Sequence, residues 1–304
     1  MSVKCDDLVC RACRCTFAIE FGRPILFRQD NELFPPHAYI GHSGPRERRV
    51  GGVASLIPSP SVNLSYRRNL AFLCARLSER APERVRNVLV VGCGKQRAWL
   101  DQFMKRSKST RMIYCDVDSN ADADLYCDAH TLPFRSGVFD AVITTAVLEH
   151  VLRPNLAADE ITRVTSAEGL IYSEFPFMQQ VHEGAYDFTR FTLSGHRLLF
   201  RQFRELDSGL IAGPATSLTW ALENLAVCFG PTNGTRNAIR AVVRLTFFWL
   251  KYLDYFLKKN PIAIDGASCT YFVGVLEPGY LLSDRLAVES YRGARLHSHL
   301  HMNE

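Results

Sequence analysis

No stretch of this 304-residue sequence stays apolar for the roughly 18 residues that a bilayer span requires. The nearest candidates are interrupted by charge, Gly209–Gly230 by Glu223 and Ala241–Leu250 by Arg244. Asp6 and Asp7 stand where a secretory leader would need its apolar stretch. There is no dense basic stripe: the net charge is +5 and the Lys and Arg are scattered, unlike the clustered cations of an obligate nucleic-acid binder. No disulfide framework is legible either. Of the ten cysteines, Cys74, Cys93, Cys115, Cys127, Cys228 and Cys269 stand alone. Several lie in strand-like runs, where a reduced thiol acts as a small buried hydrophobe. There is no internal repeat and no low-complexity tract. These absences lead to the expectation of a cytosolic location. With 47% hydrophobic and 22% charged residues, the chain is an ordinary globular one, long enough to bury a full core.

The pattern divides the chain into five parts. Residues 1–30 form a Cys-containing, ribbon-like segment, and 31–82 a proline-rich linker ending in an amphipathic helix from about Ser65 to Arg80. Residues 83–211 alternate apolar strand runs with helical patterns, the signature of a parallel α/β sheet. Residues 212–267 form a helical insertion, with helices expected at Ala215–Phe229 and Arg236–Lys259, and 268–304 a last strand and a polar tail. In the α/β part, strands are expected at Asn87–Gly92, Arg111–Asp116, Asp124–Asp128, Phe139–Thr145, Gly169–Phe175 and Glu205–Ile211, with a seventh at Cys269–Val275. Helices are expected at Arg97–Lys105, Asn155–Thr165 and Thr192–Gln202, the last capped by Thr192.

The turn after the first strand is Gly92-Cys-Gly94. Glycines there allow a tight turn and a close approach of backbone to ligand. The dinucleotide fingerprint fails because Arg97 holds the place of its last glycine, which argues against a nicotinamide oxidoreductase; the phosphate loop of nucleotide triphosphatases is absent too. The turn therefore suits a nucleoside. Asp116, about 22 residues past Gly94 at the end of the second strand, is placed to accept ribose hydroxyls, and Asp118 is its rival.

The string Cys127-Asp-Ala-His-Thr-Leu-Pro-Phe, followed by Gly137-Val-Phe-Asp-Ala-Val-Ile-Thr-Thr-Ala-Val-Leu-Glu-His-Val, resembles the class I S-adenosylmethionine-dependent methyltransferases, specifically the methyltransferase type 11 group. The resemblance implies a Rossmann-like α/β fold with a seven-stranded, mostly parallel sheet in the order 3-2-1-4-5-7-6, here with a helical insertion between strands 6 and 7. It implies S-adenosylmethionine as cofactor, with Gly92, Cys93 and Gly94 at the methionine portion, Asp116 and Val117 at the ribose, Asp128 and Ala129 at the adenine, and Thr145 beneath. Leu148-Glu149-His150 would open the next helix beside the site. Two positions depart from the family. Val90 replaces an acid in the first strand, and Gln96 replaces a third glycine. They keep open a non-catalytic cofactor-binding or scaffold role.

Methyl transfer asks the protein mainly for positioning, with a base where the acceptor must lose a proton. His182, Tyr186, Asp187 and Arg190, just beyond the fifth strand, are the candidate catalytic residues. Their stretch resembles one found in type 11 enzymes that modify glycans and lipid-linked sugars. The alternative is an Asp187–Arg190 structural pair with Tyr186 packed. A small-molecule or glycan acceptor is expected, and no nucleic acid, since Thr144-Thr-Ala-Val stands where the amino-group DNA methylases carry their motif. The insertion reads as a lid, as a peripheral membrane contact, or as an oligomer interface. Cys10-Arg-Ala-Cys13 resembles half of a zinc ribbon, with Cys5 and Cys15 as extra thiols; a four-ligand site normally draws on two knuckles, so the segment reads as a degenerate ribbon with reduced thiols, a zinc site is the alternative, and no metal site is assigned. His297, His299 and His301 read as part of a polar terminus.

Overall fold

The structure is a computed structural model and describes residues 7–11, 14–41, 57–80, 84–104 and 109–294. Cys5, Cys13, His297, His299 and His301 lie outside these residues. Seven strands make one sheet: β1 Arg86–Val91, β2 Thr110–Asp116, β3 Leu125–Tyr126, β4 Phe139–Thr145, β5 Thr165–Pro176, β6 Phe203–Ala212 and β7 Cys269–Leu276. Their spatial order is 6-7-5-4-1-2-3, the expected order read from the other edge. The pairings of β1 with β2 and β4, of β2 with β3 and of β4 with β5 are parallel, and β7 lies antiparallel between β5 and β6.

The central strands carry uninterrupted apolar runs, Val88–Val91, Ala141–Ile143 and Leu170–Tyr172, because both faces are covered there, and the two-residue pleat sorts their side chains into two layers. Val88, Val90, Tyr114, Ile143 and Tyr172 face one side. There they meet Leu70, Leu73 and Leu77 of α1 (Tyr66–Arg80) and Leu100 and Met104 of α2 (Arg97–Met104). Leu89, Val91, Val142 and Ile171 face the other, against Ala157, Ala158, Ile161 and Val164 of α3 (Pro154–Val164). Val90 is thus a packing residue, 2% exposed against the first helical layer. Burying each such aliphatic side chain contributes about 1.5–3 kcal/mol. α4 (Leu193–Leu199) begins where expected, with Thr192 Oγ1 accepting the Gly195 N–H at 3.1 Å.

Three expectations are corrected. β5 starts at Thr165 rather than Gly169, because Thr165 pairs with Phe139 ahead of a register shift, and the intervening Glu168 adopts a left-handed φ of 62°. The helix expected over Arg236–Lys259 is broken into α6 (Asn233–Phe247), a 3-10 turn at Leu250–Leu253 and α7 (Asp254–Leu257). The cause is tertiary. The Asp254 carboxylate is fully buried and caps α5 (Pro214–Val227), accepting from the N–H groups of Gly213, Ala215 and Thr216 and from Thr216 Oγ1 at 2.7–3.0 Å. It satisfies the orphan donors of that helix end and complements its dipole. Lys251 meanwhile reaches the Ser59 carbonyl at 2.6 Å. Finally, Cys228 is exposed, while Cys93, Cys115 and Cys127 are buried. The pattern did not anticipate α8 (Ile262–Asp265) or α9 (Asp284–Glu289), the latter capped by Ser283.

The segment before α1 belongs to the sheet's β3 end. Ile25 bridges to Tyr126 in parallel, and Leu26 N–H donates to the Tyr126 carbonyl at 2.8 Å. The chain then folds across the ends of β1 and β2. Tyr39 packs on Phe27, and its hydroxyl donates to the Val117 carbonyl at 2.6 Å.

Candidate active site

The carboxyl ends of β1, β2 and β4 open into a cleft, as they must where the strand order reverses in an open parallel sheet. Its floor is Gly92, Asp116, Val117, Asp128, Ala129 and Thr145, and Leu33, Phe34 and Tyr39 roof it from the N-terminal segment. His150, His182 and Tyr186 form the far wall.

Gly92 has φ +67° and Gly94 φ +49°. A Cβ on Gly92 would lie 2.3 Å from Val147 Cγ2, so the turn closes only with glycine. A Cβ on Gly94 would meet nothing within 4 Å: the backbone there faces open space where a ligand can approach. The Cys93 side chain turns away into the core, leaving only its main chain at the turn. Gln96 fills the position of the missing third glycine. Its Oε1 accepts from Thr145 Oγ1 at 3.1 Å and from the Tyr66 hydroxyl at 3.3 Å.

Asp116 is buried at the floor and braces the turn. Its Oδ2 accepts the Gly94 N–H at 2.7 Å and its Oδ1 the Asp118 N–H at 2.9 Å, which leaves one lone pair per oxygen for a ligand. Burial raises its pKa against the lowering effect of those bonds. Asp118 lies exposed at the rim, its Oδ1 engaged by Asn120. Asp128 is committed twice. Oδ1 accepts from the His130 N–H at 2.9 Å and Nδ1 at 2.6 Å, and Oδ2 accepts from Asn31 Nδ2 at 2.8 Å. His130 Nε2 in turn accepts the Arg153 N–H at 3.1 Å. Burial opposes ionisation of Asp128, but these bonds prevail and lower its pKa. Asn31 and His130 escaped the sequence reading, although His130 follows Asp128 by two residues in the string that carries the resemblance.

Of the candidate catalytic group, His182 and Tyr186 reach the cleft. Asp187 and Arg190 form a two-pronged ion pair, and Arg190 also donates to the carbonyls of Gln179 at 2.9 Å and Gln180 at 3.2 Å. The pair shapes the loop. Burial raises the Asp187 pKa, yet the bonds from Arg190 and from the His182 N–H outweigh it and hold the carboxyl below its ordinary value. Behind this wall the fully buried Glu149 has its pKa pushed by burial to about 8. Its neighbour His150 donates from Nδ1 to the Tyr186 carbonyl at 2.7 Å. Ala146, which follows β4 at the cleft, is held at φ +54°, a strained value for a residue with a Cβ.

A glycine turn facing open space, a carboxylate with spare acceptors at the second strand, and a cleft at the switch point define a nucleoside-binding α/β domain. Residues 89–173 match the family model described as a methyltransferase domain. The chain carries an S-adenosylmethionine-dependent methyltransferase domain there, with S-adenosylmethionine as its cofactor. No curated protein matches the sequence. Among solved structures it is similar to a Galdieria sulphuraria protein assigned as a sarcosine dimethylglycine methyltransferase (11% identity, 69% of this chain and 86% of that one, TM-score 0.45). It is similar also to Haemonchus contortus phosphoethanolamine N-methyltransferase 2 with S-adenosyl-L-methionine (14%, 71% and 54%, TM-score 0.42). A third is coclaurine N-methyltransferase (13%, 68% and 72%, TM-score 0.41).

Proposed function

We propose that the acceptor is a hydroxyl of a sugar carried on a lipid, presented to the cleft at a membrane surface. The observation that carries this reading is the outer face of the α5–α6 hairpin and the turns after it. Leu225, Phe229, Val242, Leu245, Trp249 and Phe256 are all exposed there. Among the described residues no helix is long and apolar enough to cross a membrane, so this surface calls for interfacial contact. The base of the hairpin meets the loop that bears His182: Leu218 and Ala221 share a pocket with Met178, Gln179 and Gln180. A lipid tail on the hairpin would thus leave its head group near the cleft.

S-adenosylmethionine, when bound, supplies a methyl group already activated on a sulfonium. The main chain at Gly92, Cys93 and Gly94, with Thr145 beneath, would hold its methionine end. Asp116 would take the ribose hydroxyls with its remaining lone pairs, beside Val117, and Asp128 and Ala129 would flank the adenine. His182 is the base that takes the acceptor proton. Tyr186 lines the acceptor's approach, and Asp187 and Arg190 are positioning residues for that loop. The neutral small-molecule acceptor is the second reading, carried by the apolar roof of Leu33 and Phe34.

The test offers methyl-labelled S-adenosylmethionine with polyprenyl-linked sugars, free glycans and small alcohols. Label extracted with the lipid-linked sugars is expected. Label only on the water-soluble acceptors would refute the lipid-carried reading.

A further inference from the structure

Glu149 is unexplained by the cofactor cleft. It lies in the 3-10 turn Leu148–His150 between β4 and α3, fully buried, and neither carboxylate oxygen has a hydrogen-bond partner among the described residues. An uncompensated buried carboxylate is costly and calls for a partner. Arg190, whose charge acts on Glu149, is spent on Asp187 and on the carbonyls of Gln179, Gln180 and Thr189. What faces Glu149 instead is a pair of imidazoles. His150 Nε2 lies 3.7 Å from Glu149 Oε1, and the His150 and His182 rings meet edge to face with centroids 4.9 Å apart.

Both rings are held from behind. His150 Nδ1 donates to the Tyr186 carbonyl at 2.7 Å, and His182 Nδ1 faces the Gln180 carbonyl at 3.2 Å and Asp187 Oδ2 at 3.4 Å. An oxygen at Nδ1 keeps the proton there and leaves Nε2 with its lone pair, the arrangement by which outer oxygens orient metal-binding histidines. One ligand atom from each of Glu149, His150 and His182 lies within 4.8 Å of the others. Bonds of roughly 2.1 Å to one ion would bring such atoms to roughly 3.4 Å, a closure that side-chain rotation supplies.

We infer that Glu149, His150 and His182 form a divalent-cation site of the two-histidine, one-carboxylate class, open to the cleft, that takes a first-row transition ion or zinc. Its open positions face the space where His150 and His182 line the cleft. Resting on the methyl-transfer reading, the ion's role is to bind the acceptor hydroxyl and acidify it, the proton leaving to solvent, with His182 then a ligand in place of a base.

The test is cobalt(II) titration of the full, chelator-stripped protein, followed by visible absorption. One equivalent with weak visible bands and no intense near-ultraviolet thiolate transition is expected, since that set holds nitrogen and oxygen only. Apparent affinity should fall at least tenfold in Glu149→Gln and in His182→Ala, and stay unchanged in Cys10→Ser/Cys15→Ser. His182→Ala alters a side chain at the cleft wall and serves even where Glu149→Gln fails to fold. No visible bands, or bands unaltered in His182→Ala, would overturn the site. S-adenosylmethionine binding is measured on the same samples. Cofactor binding without cobalt binding removes the metal site and leaves methyl transfer standing, and the converse result removes the cofactor reading alone.

Discussion

Glu223 and Arg244, the two charges that interrupt the longest apolar runs, are each other's partners. The Glu223 carboxylate is 3% exposed and accepts from Arg244 Nε at 2.7 Å and from its terminal nitrogen at 2.9 Å, tying α5 to α6. Removing one partner of a buried pair strands the other. Glu223→Ala should therefore lower unfolding free energy by about 2 kcal/mol, below the usual 3–5 because Arg244 reaches solvent. Glu223→Leu/Arg244→Leu should stay within about 1 kcal/mol of the parent, since apolar replacement of both leaves no buried charge stranded, and Arg240, which also lies 3.6 Å from Glu223, is 44% exposed and turns to solvent. Urea denaturation checks both.

The two glycines of the turn should fail differently. Gly92→Ala drives a methyl group into Val147 and should lower Tm as well as cofactor affinity, with partial recovery in Gly92→Ala/Val147→Ala. Gly94→Ala has room in the free protein, and its left-handed φ costs about 1 kcal/mol. It should fold, yet lose S-adenosylmethionine affinity at least tenfold. Thermal melts and calorimetric titration separate the two.

Asp116 and Asp118 are distinguishable by the same titration. Asp116→Asn removes a buried charged acceptor and should weaken S-adenosylmethionine by about 1.5–3 kcal/mol. Asp118→Asn, at the rim, should change affinity by less than about twofold. Equal effects would move the ribose contact outward.

Glu174 lies near the end of β5 in the interior, accepting from the Tyr172 hydroxyl, and burial pushes its pKa to about 7. A carboxyl raised in the folded state favours folding at low pH, and that contribution is lost as pH rises from about 4.5 toward 7. The loss has a slope of at most about 1.4 kcal/mol per unit. Stability measured between pH 5 and pH 8 should decline less steeply in Glu174→Gln, which cannot ionise. An identical slope in parent and variant would remove Glu174 as the cause.

The hairpin surface should bind anionic phospholipid vesicles. Phe256→Asp/Trp249→Ala removes two exposed aromatic groups and should cut vesicle cosedimentation at least tenfold, given about 1.5–3 kcal/mol for each buried large side chain. Electrostatics contribute less than the composition suggests. Of the insertion's cations, Arg236 is turned onto the Gly230 carbonyl, Arg244 onto Glu223 and Lys251 onto Ser59, while Lys258 and Lys259 lie exposed. Vesicle binding should accordingly survive moderate salt.

Local pattern located the central strands. A strand core buried on both faces must be apolar, so the runs in β1, β2 and β4 announce themselves, and a glycine turn and a strand-end acid are legible because each closes such a run. Tertiary structure decided what depends on residues far apart. It turned Val90 toward α1 and α2, and it broke a continuous apolar helix to let Asp254 cap another. It also folded the proline-rich N-terminal segment over the cleft, and set Glu149 and His150 of one turn against His182 of a distant loop. No local period encodes those meetings, because burial and pairing follow from which surfaces the packed sheet brings together.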